Sequence, residues 1–209
     1  MKKSNPKKYK FIIVIRHGEL DNPKRIVYNR DEVMKKEEII HLSDYGKEQM
    51  RLLGELIKKR KFRVAKIFHS PETRVRESTH ELNKILRVID VAVKKELDEV
   101  YGPGGYIEGI NIDQWENDMR GDAYDESRWG KYHHEKPEEI IKRMEKIFWE
   151  IERSLKIGET GILVSHGDPI AWWINYKLRS LFYPKKGEAI VVIVDSQGKI
   201  FSHYILNEK

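Results

Sequence analysis

The sequence contains no cysteine. Disulfides, thiolate nucleophiles and thiolate-bound zinc or iron–sulfur centres are therefore excluded, and covalent catalysis would need another side chain. It also lacks any apolar run approaching the roughly 18 residues that a membrane span requires. The run Phe11–Ile15 follows the basic stretch MKKSNPKKYK but ends in Arg16, too short for a signal-peptide core and without a small-residue cleavage site behind it. A cytoplasmic protein with a basic, flexible arm over residues 1–10 is expected, with no membrane partner. No internal repeat and no low-complexity linker divides the 209 residues, so a single domain over 1–209 is expected. A nucleic-acid-binding motif is missing too. Much of the net charge of +6 sits on Lys2, Lys3, Lys7, Lys8 and Lys10, a solubilising tail, so nucleic acid is not an expected partner. Glutamine is scarce while Lys, Glu and Ile are abundant, a balance seen in thermophiles.

What is present is a regular alternation. A hydrophobic fraction of 39% suffices for a sizeable core beside a charged fraction of 35%. Strand-like apolar runs stand at Phe11–Ile15, Val64–Phe68, Val91–Val93, Gly161–Val164, Ala189–Val194 and Ile200–Leu206. Helical patterns lie between most of them. In LSDYGKEQMRLLGELIKKR, Ser43 is the expected N-cap, Asp44 stands in the first turn, and Met50, Leu53 and Ile57 keep helical spacing. In SPETRVRESTHELNKIL, Ser70 is read as the cap and Pro71 as the first helical residue. KPEEIIKRMEKIFWEIERSLKIG carries the stripe Ile140, Met144, Ile147, Ile151, Leu155 and stops at Gly158. DPIAWWINYKL is apolar nearly all round and should be buried, with Asp168 capping and Pro169 first.

Strands alternating with helices imply an α/β, three-layer sandwich: a mainly parallel central sheet, helices on both faces, and a final hairpin through DSQG. Residues 101–136, rich in Gly, aromatics and acids, break the rhythm and are expected to form a small cap insertion.

In an open α/β sheet, ligands bind beyond the carboxyl ends of the strands. The residues just past those ends are Arg16, His17, Gly18 and Glu19; then His69, Ser70 and Arg74; then Glu96, Asp98 and Glu99; then Ser165, His166, Gly167 and Asp168. Paired guanidinium groups favour a phosphate-like oxyanion. Helix N-termini near Ser70 and Asp168 would add N–H donors. A histidine among arginines stays neutral and can act as a nucleophile, while a nearby carboxylic acid can protonate a leaving alkoxide. That is phosphoryl transfer through a phosphohistidine, with no metal or cofactor required.

RHGE after the first strand, SPETR after the second, LDEVYG…EG after the third and VSHG after the fourth resemble the histidine phosphatase superfamily, the phosphoglycerate-mutase-like phosphatases. LSDYGKEQ also resembles that family's lead into its first helix. The resemblance runs from about Phe11 to Gly167. It implies that His17 is the phosphorylated nucleophile, that Arg16 and Arg74 hold phosphoryl oxygens, and that His166 stabilises their developing charge. Glu99, three residues before Gly102, matches the family's ExxG proton donor, with Glu96, Asp98 and Glu108 as nearby alternatives. Arg16, Asn22, Arg74, His166 and Gly167 are the implied substrate-binding residues. Two positions depart from the pattern. Pro23 stands where the family often has a phosphate-contacting asparagine, with Asn22 one place earlier, and Asp168 replaces a small residue after VSHG.

The implied activity is hydrolysis of a phosphate monoester on a small phosphorylated substrate. The alternatives are a mutase, disfavoured because the insertion is short beside the caps of glycolytic mutases, a phosphohistidine protein phosphatase, or a non-catalytic phosphate-binding module. Among other residues, His69 and His80 read as structural or surface residues, and Trp172 and Trp173 as core. His133 and His134, being adjacent, are poor metal ligands. Trp115 and Trp129 could line a pocket or give the cap its own core. Arg25, Tyr28 and Arg30 read as a solvated loop, with a contact to the distal part of a substrate as the alternative. Oligomeric state is not legible.

Overall fold

A computed structural model describes residues 8–102, 117–118, 125, 129 and 135–206. The expected cap falls largely outside these residues, as do Glu108, Trp115, His133 and His134. The elements are β1 (Tyr9–Arg16), β2 (Leu20–Asp21), β3 (His41–Leu42), α1 (Asp44–Lys59), β4 (Val64–His69), α2 (Thr73–Leu86), β5 (Val91–Val93), α3 (Pro137–Ser154), β6 (Thr160–Ser165), α4 (Gly167–Leu178), β7 (Ala189–Asp195) and β8 (Ile200–Ile205). β1 begins inside the stretch read as a flexible arm: Tyr9 and Lys10 are paired strand residues, and Lys10 Nζ bonds Glu152 at 2.8 Å.

The main sheet runs β5-β4-β6-β1-β7-β8. β5, β4, β6 and β1 are mutually parallel, whereas β7 and β8 join antiparallel, the last two as the expected hairpin. In its turn the Asp195 carboxylate accepts from the N–H groups of Gln197 and Lys199, each at 2.9 Å. Strand alternation divides the core into two layers. Ile13, Ile15, Ile67, Ile162 and Val164 pack with Met50, Leu53 and Ile57 of α1 and Val75 and Leu82 of α2. Ile12, Val14, Phe68, Leu163 and Val192 face the other way, onto the α3 stripe and onto Ile170, Trp172 and Trp173 of α4. The α/β sandwich read from the sequence is the fold.

Local readings need three corrections. α2 starts at Thr73 with Glu72 as its N-cap residue, not at Pro71 behind Ser70. Its first-turn Thr73 N–H is taken instead by the Asp31 carboxylate at 2.8 Å, while the Ser70 hydroxyl accepts from Glu72 N–H at 3.2 Å. α4 starts at Gly167 after an extended His166, so Asp168 lies inside the first turn and does not cap it. The segment after RHGE is a solvated loop only around Arg25, which is exposed; Tyr28 and Arg30 are half-buried. β2 and β3 pair within it, and Leu20, Ile26, Met34, Ile40 and Leu42 form a small core of their own.

This segment is pinned to α1 by a contact only glycine allows. Ser43 caps α1, its hydroxyl accepting from Gly46 N–H at 3.0 Å. A Cβ on Gly46 would lie 2.1 Å from the Glu19 carbonyl oxygen, and one on Gly18 would lie 2.6 Å from the Gly46 carbonyl oxygen. Gly46→Ala is therefore expected to cost about 1–3 kcal/mol by overpacking, read as a lower urea midpoint at unchanged m-value. An unchanged midpoint would contradict the contact.

Candidate active site

The strand ends reach one level. Arg16 lies opposite Ser165 in the β1–β6 register and His69 opposite Val164 in the β4–β6 register, so the residues that follow all open at the same edge. Two backbone bonds hold the exit: His17 N–H donates to Ser165 O at 3.0 Å, and Ser70 N–H to Val164 O at 3.1 Å.

His17 is fully buried. Its Nδ1 stands 2.9 Å from the Gly18 carbonyl, which can only accept, so Nδ1 carries the proton and Nε2 keeps its lone pair. Nε2 has no partner among the described residues. Burial, reinforced by Arg16, His166 and Arg74, holds the His17 pKa well below its ordinary value, so the ring is neutral at physiological pH.

The two arginines are fixed by carbonyls rather than by one carboxylate each. Arg16 donates from Nη1 to Pro184 O at 2.9 Å, and its guanidinium carbon lies 5.2 Å from the centre of the Tyr183 ring. Arg74, with no exposed surface, donates from Nη1 to Asn29 O at 2.9 Å and sits 5.3 Å from the Tyr28 ring centre. Asp31 and Glu99 lie 3.8 and 3.5 Å from it and compensate its charge without saturating its donors, and Glu72 stands at 3.7 Å. Burial raises the Glu72 carboxyl to about 8 despite Arg74, so near neutrality it stays largely protonated. Nε of each arginine has no partner among the described residues.

His166 and Ser70 form the far wall. The Ser70 hydroxyl donates to Asp98 Oδ1 at 2.9 Å, so its oxygen is the acceptor for His166 Nε2–H at 3.0 Å. That leaves His166 Nδ1 bare, 3.3 Å from Glu99 Oε2 without the geometry of a hydrogen bond. Burial holds His166 down at about 4 even though Glu99 pulls the other way. Burial alone would raise the Glu99 carboxyl, but His166 and Arg74 outweigh it and hold it well below the carboxylate range. The His17 and His166 rings lie 5.4 Å apart, edge to face.

The sequence-predicted residues separate accordingly. Arg16, His17, Arg74, Glu99 and His166 converge. Gly167 lies at the wall for a steric reason: a Cβ there would meet the Tyr183 hydroxyl at 2.5 Å and the Arg16 guanidinium carbon at 3.0 Å. Asn22 is turned to a local task, its amide donating to Ile26 O at 2.8 Å and accepting from Ile26 N–H at 3.1 Å. Glu96 faces outward onto Lys146 at 2.6 Å. Asp168 is bonded by the Tyr183 hydroxyl at 2.9 Å. Sequence reasoning missed Tyr183, Asn29 and the bridging role of Ser70. Only Ser70 carried a signal, inside SPETR, and it was spent on capping.

The family model of the histidine phosphatase superfamily (branch 1) matches residues 12–192. The chain belongs to that superfamily. Its fold is shared with Bacillus stearothermophilus YhfR at TM-score 0.69 and 17% identity, covering 92% of this chain and 94% of that one. It is shared with mycobacterial glucosyl-3-phosphoglycerate phosphatase at TM-score 0.68 and 17% identity, covering 94% and 97%. Phosphoserine phosphatase from Entamoeba histolytica, solved with 3-phosphoglyceric acid, gives TM-score 0.68 and 17% identity, covering 96% and 98%. Comparison with curated protein sequences finds no match. Among the described residues, no helix is long and apolar enough to cross a membrane.

The buried imidazoles have a consequence for stability. His166 titrates at about 4 in the fold against roughly 6.5 unfolded, so its contribution is full above pH ~6.5 and is lost as pH falls towards 4. Wild type should therefore lose more stability than His166→Gln between those limits, read by urea titration at each pH. Parallel stability curves would show that His166 is not held neutral.

Proposed function

We propose that this protein hydrolyses a phosphate monoester of a small molecule through a phosphohistidine on His17. One observation carries the reading: four buried nitrogens without partners among the described residues, Arg16 Nε, Arg74 Nε, His17 Nε2 and His166 Nδ1, belong to the strand-end cluster. Buried polar groups left unpaired cost about 1–3 kcal/mol each, so such a cluster persists where a ligand completes it. A phosphoryl group offers acceptor oxygens to the two arginine Nε–H donors, and its phosphorus is what the free His17 Nε2 lone pair would attack.

The steps follow from the residues. His17 Nε2 forms the N–P bond as the ester P–O bond breaks. The departing alkoxide takes a proton from the Glu99 carboxyl. Water then attacks phosphorus, giving its proton to Glu99, and the N–P electrons return to His17. Arg16 and Arg74 hold the equatorial oxygens throughout, and His166 shares the charge once the bound dianion draws a proton onto its Nδ1.

Glu99 is ionised in the free protein, so the proton must arrive with the substrate or be drawn in when the phosphate dianion raises the Glu99 pKa. Above the second phosphate pKa of about 6, neither free partner holds that proton. We expect kcat/KM to fall about tenfold per pH unit above pH ~6 and to be level just below it, because His17 stays neutral there. A rate that rises with pH across this window would contradict Glu99 as the donor.

The nucleophile is tested separately, by hydrolysis of 4-nitrophenyl phosphate in a chelator. Wild-type activity should survive the chelator, while His17→Ala should lose at least about a thousandfold. A His17→Ala protein with wild-type turnover would rule out the phosphohistidine route.

A further inference from the structure

The strand preceding Glu99 is only three residues long, so the chain from Glu96 to Glu99 leaves the sheet with carbonyls that no strand pairs. Two guanidinium groups supply the missing donors. Arg143 of α3 donates from Nη1 to Glu96 O at 2.8 Å and to Asp98 O at 2.7 Å. Arg30, from the segment after RHGE, donates from Nε to Glu99 O at 2.7 Å. Both are held by one carboxylate. Glu135 takes Arg143 in a fork, Nε to Oε1 at 2.6 Å and Nη2 to Oε2 at 3.0 Å, and it takes Arg30 Nη2 on Oε2 at 3.2 Å. The three side chains are between 13% and 18% exposed. Glu135 is itself anchored, since its carbonyl accepts from the buried Trp129 indole N–H at 2.7 Å.

We propose that Glu135, Arg30 and Arg143 form a positioning clamp that sets where the Glu99 carboxyl stands relative to the leaving oxygen. The clamp rests on the reading of Glu99 as proton donor. None of its members touches the reacting atoms, so all three act through Glu99. The chemistry asks for such a device, because a proton donor works only within hydrogen-bond reach, and a displacement of about 1 Å costs on the order of a hundredfold. Without the shared carboxylate, Arg30 and Arg143 face each other as like charges and lose the brace that aims them at the backbone. The same carboxylate ties together the segment after RHGE, the donor segment and the start of α3, so movement in any of these would shift the donor.

The test compares two leaving groups of similar size. Phenolate is basic, with a conjugate pKa of about 10, and needs the proton, whereas 4-nitrophenolate departs without much help. Glu135→Gln keeps the shape but cannot accept the fork on both oxygens. It should lower kcat/KM, which reports leaving-group departure and not the shared hydrolysis of the phosphohistidine, about 10- to 100-fold on phenyl phosphate and less than about threefold on 4-nitrophenyl phosphate. Arg143→Lys should behave alike. A general loss of folded protein would lower both substrates equally, and equal losses, or none, would overturn the clamp. Glu99→Gln run in parallel separates the two levels. If it discriminates between the substrates and Glu135→Gln does not, the clamp alone is wrong. If Glu99→Gln fails to discriminate, the assignment of the donor falls and the clamp with it.

Discussion

Two guanidinium groups must stay charged inside a protein, beside an imidazole that must stay neutral, and most of this architecture follows from that constraint. A buried cation costs several kcal/mol unless it is paired and hydrogen-bonded. Pairing each arginine to its own carboxylate would satisfy the charge but close the donors to a phosphate. The protein takes a middle course. Arg16 and Arg74 each give one N–H to a carbonyl, lie against an aromatic ring, and keep Nε open. Their field is also what suppresses protonation of His17 after burial has done the larger share.

The carbonyls come from irregular segments, and this gives those segments a purpose. Asn29 belongs to the stretch after RHGE, which folds on its own small core and is held against α1 through Gly46. Pro184 follows α4, next to the tyrosine whose hydroxyl binds Asp168. The departures that looked problematic in the sequence thus become structural. Asp168 serves Tyr183, which positions Arg16, and Asn22 closes a turn that leads towards Asn29.

The sheet, its two helical layers and the convergence of Arg16, His17, Arg74, Glu99 and His166 were legible because strand ends are written in local patterns. Apolar runs followed at once by polar residues mark the carboxyl edge, and helical stripes such as Ile140, Met144, Ile147 and Ile151 mark the packed faces. What escaped depends on long-range partners. Ser70 looks like a helix cap until Asp31, far upstream, is found to supply the acceptor for Thr73. Arg30 looks solvated until Glu99 and Glu135 are brought to it. Tyr183 stands in a stretch without periodicity, and only the space left by Gly167 gives it a reason to be there.

The covalent step proposed on His17 is reached most directly by an alkaline rapid-quench experiment. Phosphohistidine survives alkali, so wild-type protein mixed with 4-nitrophenyl phosphate, quenched within the first turnovers and digested, can be searched by mass spectrometry for phosphorylated peptides. Phosphate is expected on the peptide carrying Arg16 and His17, and none there in His17→Ala. Steady turnover with no phosphate on that peptide, or phosphate on another histidine, would contradict that step.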